Sequence, residues 1–332
     1  MRRNDAIHLG LMLSAFAVAY LVPFELLLLA YVVLGPAHYF TEISWLHDRS
    51  YFLPHRGIAL GLTLLAIIAA LIDNASWFGF AMCGALLVCA MLAATNSAVE
   101  SMLLFMVALA AIMASSGQSF AVVGILIPTL IHVSLFTLVF MTLGAIKAKS
   151  RVQAALVIVY LVAIAAILLA PPTAEIRIAS FAKAAQDYFG NVGPALSRLF
   201  GIRGLQLDVR LTSLLAFAYT YHYLNWFIKA DVIRWANIPR SRLALVIAAS
   251  AASTALYFYD YAFGFTFLLA LSLVHILLEF PLDSLALRQL GTAMGSGLRS
   301  SFRGGAARAG PRSRPASSKA SKRTRPSRSP LQ

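Results

Sequence analysis

Charged residues are scarce in most of this chain. Only 12% of its 332 residues are Asp, Glu, Lys or Arg, whereas 60% are hydrophobic. A soluble domain carries about 25% charged residues, so this composition excludes an ordinary soluble fold. Apolar runs recur from residue 6 to residue 281, and runs of about 20 residues are long enough to cross a hydrocarbon core of about 30 Å. We therefore predict an all-α, polytopic transmembrane helix bundle in the cell's inner (plasma) membrane.

Cysteine is nearly absent, because only Cys83 and Cys89 occur. They lie in one apolar segment at a spacing that points them to different sides of a helix, so no disulfide framework or thiolate metal site can be built from them. Two metal-binding sequence patterns are missing as well. The chain has neither the H-x-x-x-H and H-x-x-H-H boxes of membrane desaturases and hydroxylases nor the H-E-x-x-H of zincin proteases.

Acidic residues are missing from the C-terminal segment. Residues 284–332 hold eleven Lys and Arg and no Asp or Glu, so most of the formal charge of +14 belongs to them. This segment is also rich in Ser, Pro and Gly, and such a composition buries too little apolar surface to fold. We predict a transmembrane bundle over residues 1–283 and a disordered basic cytoplasmic tail over 284–332. The tail is predicted to contact anionic lipid, and binding of nucleic acid is the less favoured alternative.

Turn residues divide the apolar sequence into about ten predicted spans. Pro23 separates the first two, and polar pairs such as Asp73-Asn74 mark later turns. The predicted spans are residues 7–22, 24–45, 57–72, 76–94, 98–115, 120–144, 152–170, 210–229, 243–260 and 262–281. The long segment 171–209 is predicted to hold a short helix that lies on the outer membrane surface, or else a loop that packs on the bundle.

The distribution of Lys and Arg orients these spans. With the N-terminus in the cytoplasm, basic residues fall in inner segments at 2–3, 49–56, 147–151 and 234–242 and in the tail. The short outer loops then hold no Lys or Arg. Because cytoplasmic loops carry an excess of positive charge, both termini are predicted to be cytoplasmic.

Four histidines lie inside the predicted spans: His38, His132, His222 and His275. Each is 12–14 residues past the start of a span that runs from outside to inside. At a rise of about 1.5 Å per residue, all four imidazoles lie about 18–21 Å below the outer face. Ionisable residues within a membrane mark function by default, and imidazole is the commonest metal ligand. We predict that these four histidines hold a metal inside the bundle.

Further polar residues share the faces of these histidines. Glu42 follows His38 by four residues, and Glu279 follows His275 by the same spacing, which places each pair on one helix face. A carboxylate in that position orients a ligating imidazole or completes the metal site. Asn225 lies on the face of His222 and is predicted to hydrogen-bond a ligand or substrate. His132 has no charged neighbour along its own span, so a packing role stays open for that residue.

This set of donors restricts the metal and its chemistry. Histidines with carboxylates and without thiolates suit Fe(II), Zn or Cu. Iron would serve oxidation by O₂, zinc would serve hydrolysis, and the substrate inside a membrane would be a lipid or another apolar small molecule. We predict an integral membrane metalloprotein, and the donor set by itself leaves Fe(II), Zn and Cu open.

Two short segments resemble elements of a known enzyme family. In GPAHYFTE, Gly35, His38 and Glu42 resemble the G-x-x-H-x-x-x-[D/E] element of the Brp/Blh family of membrane β-carotene 15,15′-dioxygenases, and Tyr219-Thr-Tyr-His222 resembles a later aromatic-histidine element. The family has a second histidine four residues further on, where this chain has Trp226. The resemblance implies a four-histidine iron centre that cleaves or oxidises a polyene, with His275 replacing the missing ligand.

Two other classes of protein stay open at this point. A membrane transporter or proton-coupled carrier would use the same histidines and glutamates as a relay or ion site, although the sequence shows no clear internal repeat. A haem-b membrane cytochrome would also place histidines at matched depth on separate helices. It needs only two axial ligands, however, which leaves two histidines and both glutamates without a role.

Overall fold

A computed structural model of the chain describes residues 3–71, 127–170, 172 and 209–308, together with seven residues between 81 and 91. In this described part the chain is helical apart from short turns and contains no strand, which confirms the all-α prediction. The chain divides into two units, residues 1–291 and 292–332, where the sequence predicted a boundary at residue 283. All the site residues discussed below belong to the first unit.

Most of the described helices follow the predicted spans closely. In chain order they are α1 (Arg3–Leu21), α2 (Pro23–Leu29), the π-helical segment π1 (Ala30–Leu34), α3 (Gly35–His47), α4 (Arg56–Leu71), the π-helical segment π2 (Ile127–Phe136), α5 (Thr137–Ala148), α6 (Arg151–Leu169), α7 (Val209–Ile228), α8 (Ala230–Ile233), α9 (Arg240–Tyr259) and α10 (Tyr261–Arg308). Because Pro23 occupies the first turn of α2, it divides α1 from α2 where the sequence predicted a break.

Five of the described helical stretches are long and apolar enough to cross a membrane: Asn4–Leu21, Pro23–His47, Arg151–Leu169, Arg240–Tyr259 and Tyr261–Gly295. Two further apolar helices, Arg56–Leu71 and His132–Ala148, are shorter. The predicted span 98–115, most of the span 76–94 and the predicted surface helix in 171–209 lie outside the described residues. The described helices are therefore compatible with a membrane location.

The helix that carries His38 is irregular just before that residue. Pro36 has no backbone N–H, so the carbonyl of Val32 lacks its usual helical donor. The Thr254 hydroxyl of α9 donates to the Val32 oxygen at 2.9 Å. This bond satisfies a backbone group that would be costly to leave unpaired in an apolar bundle, and it ties α9 to the helix of His38.

The last described helix is longer than predicted. The sequence placed the end of the span at residue 281 and an unfolded tail from residue 284, but α10 continues through Pro281 to Arg308. Leu285, Ala286 and Leu287 favour helix, and no glycine follows Pro281 until Gly291. This extension adds Asp283, which is fully buried, to the same helix as His275 and Glu279.

The two largest apolar clusters of the described residues lie on different sets of helices. One joins α3, α4 and α10 through residues such as Leu46, Ala66 and Leu277. The other joins α1, α6 and α7 through residues such as Met12, Tyr160 and Phe217. Cys89 is buried in the first cluster and is a free thiol, whereas the side chain of Cys83 lies outside the described residues.

Candidate metal centre

The four predicted histidines meet in the interior of the bundle. The ring centroids form a closed circuit of neighbours: 4.8 Å from His38 to His222, 5.2 Å from His222 to His132, 5.1 Å from His132 to His275 and 5.3 Å from His275 to His38. All four side chains are buried. The structure therefore brings together residues that are as much as 237 positions apart in the sequence, from His38 to His275.

Each histidine comes from a different helical element. His38 lies on α3, His132 on π2, His222 on α7 and His275 on α10. Both π-helical segments adjoin the site, because π1 ends four residues before His38 and π2 contains His132. Such segments are rare and occur frequently at functional sites, because the wider turn re-aims the side chains that it carries.

Hydrogen bonds to the outer nitrogens orient two of the rings. The Thr137 hydroxyl donates to the Val133 carbonyl at 2.7 Å, so its oxygen accepts from Nδ1–H of His222 at 2.8 Å. In the same way, Nδ1–H of His275 donates to the Ser272 carbonyl at 2.6 Å. In both residues Nε2 is then left as the lone-pair nitrogen, which is the form that binds a metal.

Two glutamates approach the rings directly. Glu42 Oε2 lies 3.0 Å from Nε2 of His38, as the spacing along α3 predicted. Glu279 was expected to orient His275 or to complete the metal site, and its closest imidazole is that of His132, with 3.4 Å between Oε2 and Nε2. The side chain of Glu279 therefore crosses from α10 towards π2. His132 consequently does have acidic neighbours, which come from another helix and cannot be seen in its own span.

Asp283 is a site residue that sequence reasoning missed. Its Oδ2 lies 3.6 Å from Nδ1 of His132, and the residue is fully buried. The spacing His275, Glu279, Asp283 repeats every four residues and places all three side chains along one face of α10. That spacing is visible in the sequence, but the predicted span ends at residue 281, two residues before Asp283.

Aromatic residues surround and position the cluster. The Tyr39 ring stacks on His275 with centroids 4.2 Å apart, and its hydroxyl is 2.6 Å from that of Tyr223. Trp226 stands at the position where the Brp/Blh family has its second histidine. Its Nε1–H donates to the Thr41 hydroxyl at 3.0 Å. Trp226 thus ties α7 to α3 beside His38 and is not a ligand.

A cavity of about 420 Å³ adjoins the cluster. Its polar lining includes His38, Glu42, His222, Asn225 and Glu279. Its apolar lining is provided by Trp45, Phe140, Leu143, Trp226 and Leu282. Small-molecule pockets usually occupy about 300–1,000 Å³ and combine mostly apolar walls with a few polar groups.

The donor atoms in this cluster fit a metal ion. One ligand atom each from His38, His222 and His275 lies within 4.8 Å of the others, and the same holds for His132, His275 and Glu279. Several of these buried atoms have no hydrogen-bond partner among the described residues: His38 Nδ1, both ring nitrogens of His132, His275 Nε2, Glu42 Oε2, Glu279 Oε2 and both carboxylate oxygens of Asp283. Buried polar atoms of this kind are costly unless an ion or water satisfies them.

Asn225 lies on the wall of the cavity that adjoins the histidines. The residue is buried, and its Oδ1 accepts no hydrogen bond within the described part of the chain. The side chain lines the cavity, and its hydrogen bond to a ligand or substrate stays a prediction.

Comparison of the chain with protein-family models, with curated proteins and with solved structures returned no match.

Proposed function

We propose that this chain is an integral membrane non-haem iron oxygenase, similar in chemistry to a dioxygenase, that acts on a lipid or polyene. The observation that carries the proposal is the closed circuit of four buried histidine rings with Glu42 and Glu279 against them. Imidazole and carboxylate donors without thiolate suit Fe(II), and oxygenases that use non-haem iron combine these two ligand types.

The protein residues hold and orient the donors. Thr137 and the Ser272 carbonyl fix the rings of His222 and His275 with Nε2 facing inwards. Tyr39 packs flat against His275 and limits its rotation. The apolar cavity walls favour a hydrocarbon substrate, and Asn225 offers its amide to a polar group on that substrate.

Bound iron would supply the O₂-dependent redox chemistry that no side chain here can provide. The overall reaction that we propose adds one oxygen atom of O₂ to each carbon of a C=C bond. That bond breaks and two carbonyl compounds form, so O₂ is the only oxidant and no external reductant is consumed. The polyene as substrate follows from the resemblance of Gly35, His38 and Glu42 to the Brp/Blh element.

The packing of the rings favours a bare ion over haem. Nε2 of His38 and Nε2 of His222 lie only 3.2 Å apart, and neighbouring rings are in contact around the circuit. A haem with two axial histidines needs space between the two imidazoles for the porphyrin plane. Imidazole rings that touch each other leave no space for it. Zinc fits the same donors, but it has no redox chemistry to offer an apolar, unactivated substrate.

We also propose ten spans with both termini in the cytoplasm, in the inner (plasma) membrane. Contacts between the described helix ends support this topology. Arg242 forms an ion pair with Asp48 at 2.6 Å, and both residues belong to segments predicted to be inside. Tyr20 donates to the Ala170 carbonyl at 2.9 Å, and both of these lie at ends predicted to be outside.

The direct test is oxygenase activity in a bilayer. Full-length protein loaded with Fe(II) would be reconstituted in lipid nanodiscs containing β-carotene and exposed to ¹⁸O₂. We expect loss of the visible polyene absorbance, uptake of O₂ and ¹⁸O in both carbonyl products. Iron-loaded protein that leaves both β-carotene and unsaturated lipid unchanged, without O₂ uptake, would rule out the proposal.

A proton-coupled carrier is the second candidate, and one observation favours it. Thr137, His222, His38 and Glu42 form a continuous polar chain with successive contacts of 2.8, 3.2 and 3.0 Å. Such a chain can relay a proton through an apolar bundle. A carrier would be metal-free as isolated and would dissipate a pH gradient across vesicles, and His38→Ala would abolish that flux.

A further inference from the structure

We propose that the cluster binds two metal ions and not one. This inference rests on the proposed metal binding and extends it to a second site that sequence reasoning did not anticipate. The first ion would be held by His38, His222 and Glu42, and the second by His132 and Glu279, with His275 between them. Asp283 would orient His132 from its outer nitrogen.

The distances divide the donors into two overlapping groups. Ligand atoms of His38, His222 and His275 converge within 4.8 Å, and so do those of His132, His275 and Glu279. Each group also has a carboxylate within 4 Å of one of its imidazole rings. Glu42 lies 3.0 Å from His38 in the first group, and Asp283 lies 3.6 Å from His132 in the second.

The number of donors exceeds what one ion can use. Four histidines and three carboxylates surround the site, all of them buried. A six-coordinate ion that keeps a position open for O₂ takes at most five protein ligands. Helical bundles with two metals build their sites from the same elements, namely carboxylates and histidines spaced one turn apart on facing helices.

The buried charge leads to the same conclusion. Glu42, Glu279 and Asp283 provide three carboxylates, and no Lys or Arg pairs with any of them among the described residues. With all three groups ionised, one divalent ion balances only two of the charges, and an unbalanced charge in an apolar interior is expensive. Two divalent ions balance all three and leave one positive charge for an exogenous anionic ligand such as hydroxide.

The histidine at the second site is arranged as metal-binding histidines usually are. Nε2 of His132 is beside Glu279, and its Nδ1 faces Asp283 on the opposite edge of the ring. Neither nitrogen has a hydrogen-bond partner within the described chain. A carboxylate behind a ligating imidazole fixes its tautomer and raises its basicity, so Nε2 is the nitrogen assigned to the ion.

The experiment is metal stoichiometry of the full-length protein in detergent. Apoprotein would be titrated with Fe(II) without oxygen, desalted and analysed for iron and protein, and EPR spectra would be recorded after oxidation. We expect two iron ions per chain and an EPR-silent, spin-coupled diferric pair. Glu279→Gln and His132→Ala should each bind one ion and show the signal of isolated high-spin ferric iron.

The outcomes separate this inference from the proposed function. One ion per chain in the wild type would overturn the second site and leave the oxygenase proposal standing, whereas no bound iron would overturn both. Two ions that persist in both Glu279→Gln and His132→Ala would also overturn the inference, because the second ion would then lie elsewhere. His47→Ala, which removes an exposed histidine, is the control and should keep two ions. Glu279→Gln preserves side-chain volume, so elution as a monodisperse species would show that it folds.

Discussion

At the scale of single residues, metal binding depends on which nitrogen of each imidazole faces inwards. Thr137 decides this for His222, because its hydroxyl hydrogen is used on the Val133 carbonyl and only its oxygen is left to accept. The Ser272 carbonyl decides it for His275. Groups of this kind do not touch the metal, but they determine how well the ligands bind it.

Thr137→Val tests this role, since valine has nearly the same shape and cannot accept a hydrogen bond. His222 would lose its fixed tautomer, and we expect the affinity for Fe(II) to fall by about 10–100-fold. The measurement is competition of the full-length protein against a chelator of known affinity. Thr137→Ser keeps the hydroxyl and should restore the wild-type affinity. Equal affinity in the Val and Ser variants would show that the bond to Thr137 has no part in metal binding.

At the scale of helices, the backbones of α9 and α10 lie close together at the turn that joins them. Gly264 lies in the first turns of α10, and a Cβ at this position would meet the backbone of Tyr257, with its nitrogen only 2.8 Å away. Small residues allow helices in membranes to pack at short distance. This contact sets the start of the helix that carries His275, Glu279 and Asp283 towards the site.

Gly264→Ala is therefore expected to destabilise the protein by about 1–3 kcal/mol, because backbone must move to admit one methyl group. Gly61→Ala in α4 is the matched control, since a Cβ there meets nothing within 4 Å. Alanine at that helical position should be neutral or slightly stabilising. Thermal unfolding in detergent measures both variants. An unfolding temperature for Gly264→Ala at or above that of Gly61→Ala would contradict the packing described here.

The helices and the four histidines were predictable because both depend on local pattern. An apolar run identifies a helix, and a histidine within it is conspicuous because it is rare. The pairing of Glu42 with His38 also follows from a spacing on one helix. The carboxylates around His132 were not predictable, because Glu279 and Asp283 reach it from another helix. Asp283 was missed because the predicted span ends at residue 281, whereas α10 continues through Pro281 to Arg308.

At the scale of the whole molecule, the ten-span topology makes a definite prediction about accessibility. Tyr259, which is 91% exposed, lies at a predicted outer end, and His47 lies at a predicted inner end. Tyr259→Cys should react with a membrane-impermeant thiol reagent in spheroplasts, and His47→Cys should react only after the membrane is opened. The unmodified protein, which carries Cys83 and the buried Cys89, serves as the background control. Labelling of His47→Cys in intact spheroplasts would contradict the proposed orientation.

The central claim is that a transition metal binds where α3, π2, α7 and α10 bring their histidines together. The iron content of purified, Fe(II)-loaded protein tests it most directly, measured for the wild type and for the single variants His38→Ala, His222→Ala and His275→Ala. We expect iron in the wild type, a clear loss in each of these three variants and no loss in His47→Ala. A wild-type protein that retains no metal, or three variants that retain as much iron as the wild type, would contradict it.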